Sequence, residues 1–294
     1  MLLAAIWGSS FLFIKVLDKH WPAVWVALAR VTLGALTLLP LARWRGESLR
    51  FDRRLWLHLL TAAAVFNAVP FTLIAFGEQH VSSIVAGLWN ATTPLWVLVV
   101  ILIAFAKEHP SRQRMLGLAV GFAGVLMLLG PWRGLGHGEL EGELACAGAA
   151  LCYGIGFPYT RRYLASAGHG GIALAAGQLL CAALLLAVVA PFARAPTGHI
   201  GLDGAASLLG LGALGSGVAY ALNYSIVRAA GSIVAGAVTY LIPVFATLLG
   251  VVVLGETLRW NQPAGAVILL LGIAITDGRV ALARRLRRRA RAFT

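Results

Sequence analysis

Two short stretches, "SSIVAGLWNATTP" from Ser82 and "GSIVAGAVTYLIP" from Gly231, place polar and aromatic side chains just before a proline. These side chains are Trp89, Asn90 and Thr93 before Pro94, and Thr239 and Tyr240 before Pro243. Amide and hydroxyl groups pair with ammonium and carboxylate groups, and aromatic faces suit apolar or cationic groups. The pattern therefore favours binding of a small neutral or zwitterionic molecule.

Further side chains of the same type lie inside other apolar stretches of the chain. They are Trp7, Ser10, Asn67, Tyr153, Tyr220 and Asn223. Each has two interpretations, since a lone polar residue in a transmembrane helix more often bonds a neighbouring helix than a ligand. We expect some of this set to contact substrate and the rest to hold helices together.

The elements that position these residues are transmembrane helices. The chain is 60% hydrophobic and 12% charged, whereas a soluble domain has about 45–50% apolar and about 25% charged residues. Segments of about 20 apolar residues are long enough to cross a bilayer. We predict an all-α integral membrane protein with ten spans at 2–17, 23–42, 55–76, 82–105, 113–131, 142–160, 170–191, 204–227, 232–254 and 261–277.

Lys and Arg are distributed unevenly between the two predicted sides of the membrane. With the N-terminus inside, 18 of the 24 basic residues fall in inside connections and five in outside ones, and Arg30 lies within span 2. The positive-inside rule then places both termini in the cytoplasm of a bacterial inner membrane. Seven arginines follow Asp277, and we interpret this tail, residues 279–294, as a lipid-facing topology anchor instead of a nucleic-acid site.

The pentapeptide SIVAG belongs to a longer internal repeat. Ser83 and Pro94 match Ser232 and Pro243 at a spacing of 149 residues, and "WGSSFLFIK" from Trp7 matches "YGIGFPYTR" at a spacing of 146. Residues 1–138 and 139–278 are therefore predicted to be two copies of a five-helix unit. Because five is odd, the copies enter the membrane in opposite senses, as inverted-topology repeats around a central cavity.

This pattern resembles the EamA-type transporters of the drug/metabolite transporter superfamily. The features that carry the resemblance are the Trp7-Gly8 and Tyr153-Gly154 pairs, Pro22 with Arg30 in span 2, and the proline-centred spans 4 and 9 that end near Glu108 and Glu256. The resemblance implies a cavity lined by spans 1, 3, 4, 6, 8 and 9, with spans 5 and 10 at the periphery. Within the family, the chain is most similar to the amino-acid exporter branch.

Charged residues are nearly absent from the predicted spans. All eleven acidic residues fall in connections or at span ends, so no carboxylate is expected at mid-membrane depth. Transport is then uncoupled, or its coupling group lies at a cavity mouth, where Glu78 is the first candidate. Arg30 is expected to reach toward the interface or a helix end, with substrate binding as the alternative.

Gates are predicted at the two matched prolines. Pro94 and Pro243 lack a backbone N–H and clash with the preceding turn, so each span should kink there, with Gly87 and Gly236 as accompanying hinges. Gly117 and Gly121 form a GxxxG face on span 5, which suits helix packing or dimerisation.

Other functions within and outside this fold remain alternatives. A multidrug, purine or nucleotide-sugar transporter would use the same architecture, and a membrane-embedded enzyme is less favoured because the sequence contains no metalloprotease or nucleophile-elbow motif. The expected partners are the lipid bilayer and a small-molecule substrate. We expect neither cofactor nor metal, and a monomer or weak homodimer.

Overall fold

The computed structural model describes residues 1–104, 112–130, 137–198, 200–226 and 238–276, and all regular secondary structure within these ranges is helical. The helices are α1 (Leu2–Leu17), α2 (Ala23–Trp44), α3 (Arg53–His80), α4 (Ser83–Asn90), α5 (Thr93–Ala104), α6 (Arg112–Leu129), α7 (His137–Tyr163), α8 (Gly171–Val189), α9 (Leu202–Ile226), α10 (Ile242–Val252) and α11 (Asn261–Thr276). A short 3₁₀ turn, Val238–Tyr240, precedes α10. Because α4 and α5 together occupy one predicted span, the described part contains ten helical elements, one for each predicted span.

Four of these helices are long and apolar enough to cross a membrane by length and composition: α2, α3, α9, and α8 with the turn that extends it to Phe192. Three shorter apolar helices, including α1 and α10, fall below that length. The difference from ten uniform spans has a local cause in spans 4 and 9, because each is interrupted next to a proline. Residues 232–237, the start of span 9 including Gly236, lie outside the described residues, as does the tail 279–294.

At Pro94 and Pro243 the chain breaks its helix, where the sequence predicted a kink. Pro94 is the second residue of α5 and Pro243 the second residue of α10, so a new helix begins one residue before each proline. Proline is tolerated in the first turn of a helix because the N–H that it lacks has no acceptor there. The helix α4 runs through Gly87 without interruption and ends at Asn90, so Gly87 is not the point at which the backbone bends.

Instead, Gly87 permits close packing between helices. A methyl group at this position would lie 2.6 Å from the Cβ of Ala246 on α10. Gly8 on α1 approaches α10 in the same way, with Phe245 Cβ at 2.4 Å from the position of a Cβ. Small residues at such crossings let α1 and α4 pack against α10 with their backbones close together.

The two helices α3 and α9 each contain a π-helical segment, at Ala64–Ala68 and at Gly210–Val218. A π turn accommodates one extra residue and rotates the side chains that follow it, and such turns are common at functional sites. Asn67 and Ser216 lie in these segments and are 149 residues apart, the spacing found for the repeated prolines. Likewise, α2 and α8 begin at Ala23 and Gly171, 148 residues apart.

The helices α6 and α11 pack against each other through glycine. A Cβ at Gly124 would lie 2.5 Å from the backbone nitrogen of Leu269, and one at Gly272 would lie 2.4 Å from that of Gly121. The glycine face predicted on span 5 therefore contacts span 10 of the same chain. Here Gly121 and Gly124 serve packing within the molecule.

Candidate substrate-binding pocket

A pocket of about 60 Å³ lies between helices of both halves of the chain. Its walls come from α1, α2, α3, α4, α5, α7, α9, the 3₁₀ turn and the start of α10. The lining residues are Trp7, Ser10, Phe11, Ile14, Arg30, Phe66, Phe71, Ile74, Asn90, Thr93, Tyr153, Phe157, Tyr220, Thr239 and Ile242. Typical ligand pockets measure about 300–1,000 Å³, so only a very small molecule fits this conformation without rearrangement.

Seven of the eleven residues predicted to bind substrate line this pocket. They are Trp7, Ser10, Asn90, Thr93, Tyr153, Tyr220 and Thr239. The structure thus brings together side chains from positions 7 to 239 of the sequence. Aromatic rings surround the polar groups, and Phe66 meets Tyr153 edge to face with ring centroids 5.4 Å apart.

Three predicted residues lie elsewhere. Trp89 is buried in a hydrophobic cluster with Phe11 and Ala246, because successive helical residues point about 100° apart and Asn90 takes the direction of the pocket. Asn223 is buried one turn beyond Tyr220, and its Oδ1 has no hydrogen-bond partner. Asn67 lies behind the pocket wall. The side chain of Tyr240, the remaining one of the eleven, lies outside the described part of the structure.

The two prolines act on the pocket through the residues four positions before them. Without an N–H, Pro94 cannot donate the usual helical hydrogen bond to the carbonyl of Asn90, and Pro243 cannot donate one to Thr239. Asn90 and Thr239 both line the pocket. The two proline breaks therefore lie next to the pocket, one in each half of the chain.

Arg30 does not extend toward the membrane surface, which corrects the interpretation favoured by sequence. Its side chain is 5% exposed and lines the pocket. The guanidinium carbon lies 3.7 Å from the centroid of the Phe71 ring, and Nε donates a hydrogen bond to Ser216 Oγ at 2.9 Å. The π segment of α9 presents Ser216 to this nitrogen.

In the π segment of α3, Asn67 occupies the position that corresponds to Ser216 and is part of a buried hydrogen-bond network. Gln178 Nε2 on α8 donates to Asn67 Oδ1 at 2.6 Å, and Asn67 Nδ2 donates to Tyr220 Oη at 2.5 Å. Tyr224 Oη donates to Gln178 Oε1 at 3.3 Å. Asn67 and Gln178 are at most 1% exposed, so this network holds α3, α8 and α9 together and fixes the pocket residue Tyr220 from behind.

Sequence reasoning missed Gln178 and Ser216, although a signal for both was present. Gln178 is 148 residues after Arg30, and Ser216 is 149 residues after Asn67. Extending the repeat spacing into spans 2 and 7 would have paired Arg30 with Gln178, and extending it into spans 3 and 8 would have paired Asn67 with Ser216. A polar residue in span 2 or 7 contacts the π segment of the opposite half in both cases.

Glu78, the candidate for a cavity mouth, is fully buried in the last turn of α3, one turn beyond the pocket residue Ile74. Among the described residues, neither of its carboxylate oxygens has a hydrogen-bond partner. Lys15 Nζ on α1 donates to the backbone carbonyls of Glu78 and Val81. A cation at the end of α3 stabilises the negative pole of the helix, so Lys15 ties α1 to α3.

Asp18 follows α1 directly and is largely buried, and among the described residues neither of its carboxylate oxygens has a hydrogen-bond partner. Burial raises the pKa of Asp18 to about 8, against the opposing effect of the nearby Lys15. A carboxyl group with such a pKa titrates near physiological pH. Together with Glu78, it forms a pair of buried acids on the side of the pocket where α3 ends.

On the same side, Glu256 holds the start of α4. Its two carboxylate oxygens accept from Ser83 N, Ser83 Oγ and Ile84 N at 2.9–3.1 Å. A carboxylate bonded to the free N–H groups of a first helical turn is favoured by the helix dipole. This contact connects the segment after α10 to the first SIVAG stretch, so Ser83 and Ile84 have a structural role.

Comparison with known proteins identifies the class. The family model described as the EamA-like transporter family matches residues 1–130 and 140–276, and the chain therefore belongs to this family. A solved crystal structure of another protein superposes with a TM-score of 0.69 at 22% identity, covering 97% of this chain and 96% of the other. That likeness shows a shared fold.

Several curated bacterial proteins are similar over nearly the whole chain. An uncharacterized Pseudomonas aeruginosa protein is 32% identical over 97% of this chain and 93% of its own length. The uncharacterized inner membrane transporter YedA of Escherichia coli K12 is 27% identical over 93% of this chain and 88% of its own. PagO of Salmonella typhimurium is 23% identical over 94% of this chain and 90% of its own. The chain is accordingly a membrane transporter of the drug/metabolite type.

Proposed function

We propose that the protein carries small zwitterionic metabolites, with amino acids as the leading class, out of the cytoplasm by alternating access. The single observation that supports this most strongly is the pocket, in which amide and hydroxyl side chains from both halves surround a small space lined by aromatic rings. Such groups can bind an ammonium and a carboxylate together.

The charge of the pocket wall favours this substrate class over the alternatives in the same fold. One guanidinium, Arg30, faces the pocket, and the pocket residues include neither Asp nor Glu. A cationic drug would meet repulsion from Arg30 without a carboxylate to offset it. A nucleotide sugar carries two phosphates, whose negative charge the single Arg30 guanidinium would not balance.

Alternating access is supported by pairs of features at matched spacing. The helix breaks, the π segments, and the Arg30–Ser216 and Gln178–Asn67 contacts each recur after 148 or 149 residues. We propose that the halves are inverted repeats with both termini in the cytoplasm. Two halves that exchange conformations would give outward-open and inward-open states of similar energy.

In this orientation the Lys15 and Glu256 contacts lie on the extracytoplasmic side. Each joins helix ends that surround the pocket: Lys15 joins α1 to α3, and Glu256 joins the segment after α10 to α4. We propose that these contacts close the outer side and that they break when the pocket opens outward.

Glu78 is the group that we propose for proton coupling. Carboxylates within the membrane are expensive and commonly carry protons in transporters. The charged groups that act on Glu78 are Asp18, Lys15, Glu256 and Arg30, and Cys146 on α7 lies within its electrostatic range. If a pH gradient drives uphill transport in vesicles, Glu78→Gln should abolish accumulation while counterflow exchange persists. Accumulation by Glu78→Gln at the wild-type level would exclude this role.

Substrate class is tested with purified protein in liposomes. Labelled amino acids, purines, sugars and quaternary ammonium compounds are loaded inside and their exit is followed, with protein-free liposomes as the control. We expect exit of amino acids. Transport of another class without amino acids would contradict the proposal.

A further inference from the structure

The Arg30 guanidinium is a buried charge that makes no salt bridge with the described residues, although the buried Glu78 lies within its electrostatic range. Among the described residues the one salt bridge is the exposed pair Arg259–Glu139, far from the pocket. Burial of an ion costs several kcal/mol unless an opposite charge and hydrogen bonds compensate it. At 5% exposure, Arg30 has lost most of its contact with water.

Its existing contacts use only part of its binding capacity. Arg carries five N–H donors, and the bond from Nε to Ser216 Oγ is the one hydrogen bond that Arg30 makes with described residues. Phe71 covers one face of the guanidinium plane at 3.7 Å. Ring stacking and the Nε bond fix the orientation of the plane, which leaves the paired Nη groups at the pocket wall without an acceptor.

The groups around Arg30 complete an anion subsite. The hydroxyl-bearing side chains Tyr153 and Tyr220 line the same pocket and lie within electrostatic range of the guanidinium. Tyr220 Oη accepts from Asn67, so its own proton is available to donate. A planar fork flanked by hydroxyl donors matches the two oxygens of a carboxylate.

We propose that Arg30 binds the carboxylate of the transported molecule through its Nη groups and thereby selects monocarboxylates. This inference rests on the proposed transport function, because it assigns a role within the same pocket. One guanidinium balances one negative charge, whereas a phosphate monoester carries about −1.5 to −2 at neutral pH and would keep an excess. The rest of the pocket, including Trp7, Asn90 and Thr239, receives the ammonium and side chain.

The position of Gln178 supports a ligand role for Arg30. Gln178 occupies the place 148 residues later, contacts the other π segment and uses both its amide nitrogen and its oxygen in hydrogen bonds to Asn67 and Tyr224. A neutral side chain is therefore sufficient to bridge α8 to a π segment. The charge at position 30 adds a capacity that this bridging does not require.

The test compares acids with their uncharged counterparts in binding to purified protein. The probes are leucine and phenylalanine, their amides, and the corresponding decarboxylated amines, each measured by ligand-induced thermal shift and by competition in liposome transport. Wild type should bind the acids in preference to the amides and amines. Arg30→Gln should weaken binding of the acids about 10- to 100-fold, the range of a charged hydrogen-bonded contact, and change binding of the amides less than about threefold.

Two variants separate charge recognition from structure. Arg30→Lys keeps the charge but lacks the fork, so we expect it to retain part of the preference for acids. Ser216→Ala removes the acceptor for Nε and should lower affinity for acids less than about threefold, with the preference intact. Circular dichroism and thermal unfolding of each variant without ligand establish that it is folded.

Three results would overturn the inference: equal weakening of acid and amide binding in Arg30→Gln, wild type that binds amides as well as acids, or wild type that binds no acid. If the acids bind and Arg30→Gln loses them selectively but liposomes export none, the carboxylate subsite stands and the proposed transport function fails. If wild type exports amino acids and Arg30→Gln exports them with unchanged affinity, the function stands and the subsite fails.

Discussion

The two halves of this transporter use the same polar contact with different charge. In the second half, Gln178 reaches the π segment of α3 and every polar group of its amide is bonded. In the first half, Arg30 reaches the π segment of α9, and its remaining N–H donors make no hydrogen bond with the described residues. The contact itself holds helices together in both halves. The charge of Arg30 is not needed for that contact, so we assign it a separate role in substrate binding.

The two halves also differ at the positions of the buried acidic residues Asp18 and Glu78. Asp18 is followed after 146 residues by the fully buried Leu164, and Glu78 is followed after 149 residues by Val227 in the sequence. Positions that carry ionisable groups in the first half thus carry apolar residues in the second. If the proposed roles of Arg30 and Glu78 hold, the groups for charge recognition and proton exchange lie in the first half.

The largest effect should come from the buried hydrogen-bond network around Gln178. Gln178→Leu removes the donor to Asn67 Oδ1 and one acceptor of Tyr224 Oη in a buried site, so we expect it to lower the free energy of unfolding by about 2–4 kcal/mol. The matched change Arg30→Gln removes a buried charge that makes no salt bridge with the described residues and should be neutral or stabilising. Thermal unfolding in detergent measures both. Greater destabilisation by Arg30→Gln would reverse our assignment of the two roles.

The next effect tests the helix breaks. Pro94→Ala and Pro243→Ala each restore an N–H, so the break can heal into a continuous helix and the conformational exchange should slow about tenfold. Binding should weaken less than transport, which separate measurements of affinity and of turnover would establish. Equal losses of affinity and turnover in both variants would count against gating at these positions.

A smaller effect tests the outer contact. Glu256→Gln weakens the charged hydrogen bonds to α4 and should reduce their stabilisation by about 1 kcal/mol, which hydrogen exchange at the amides of Ser83 and Ile84 would reveal as faster exchange. Glu139→Gln is the matched control, because its exposed pair with Arg259 contributes little. Unchanged exchange at both amides would mean that Glu256 does not hold α4.

The remaining prediction concerns Asp18 and pH. Because its pKa is raised to about 8 in the folded protein, the native state binds more protons than the unfolded state between pH of about 4 and 8, and stability falls as pH rises through this range. Asp18→Asn removes this loss, so its melting temperature relative to wild type should increase from pH of about 5 to about 9. A constant difference across that range would contradict the burial of an ionisable carboxyl.

Much of the fold could be predicted because apolar length and repeat spacing are local properties of sequence. The start of α1, α2, α11 and the proline-linked breaks all follow from where Pro, Gly and charge interrupt an apolar run. The direction of a single side chain is not local in this sense. Asn90 and Trp89 are adjacent in the sequence, and both were candidate binding residues. Because adjacent helical residues point in different directions, Asn90 lines the pocket and Trp89 packs in the core.

Arg30 and Glu78 show a second limit. Distance from a predicted span end indicated an interfacial or mouth position, yet both are buried. Their burial depends on how α1, α2, α3 and α9 pack, which no single span encodes. A pattern that spans both halves, such as the spacing from Arg30 to Gln178, carries more of that information than hydropathy does.

The glycine joint between α6 and α11 has a mechanical consequence. At Gly124 and Gly272 the two backbones meet without an intervening side chain, so a larger residue at either position would force α6 and α11 apart. Each half contributes one helix to this contact, so a steric change at one glycine would be felt by both halves of the chain.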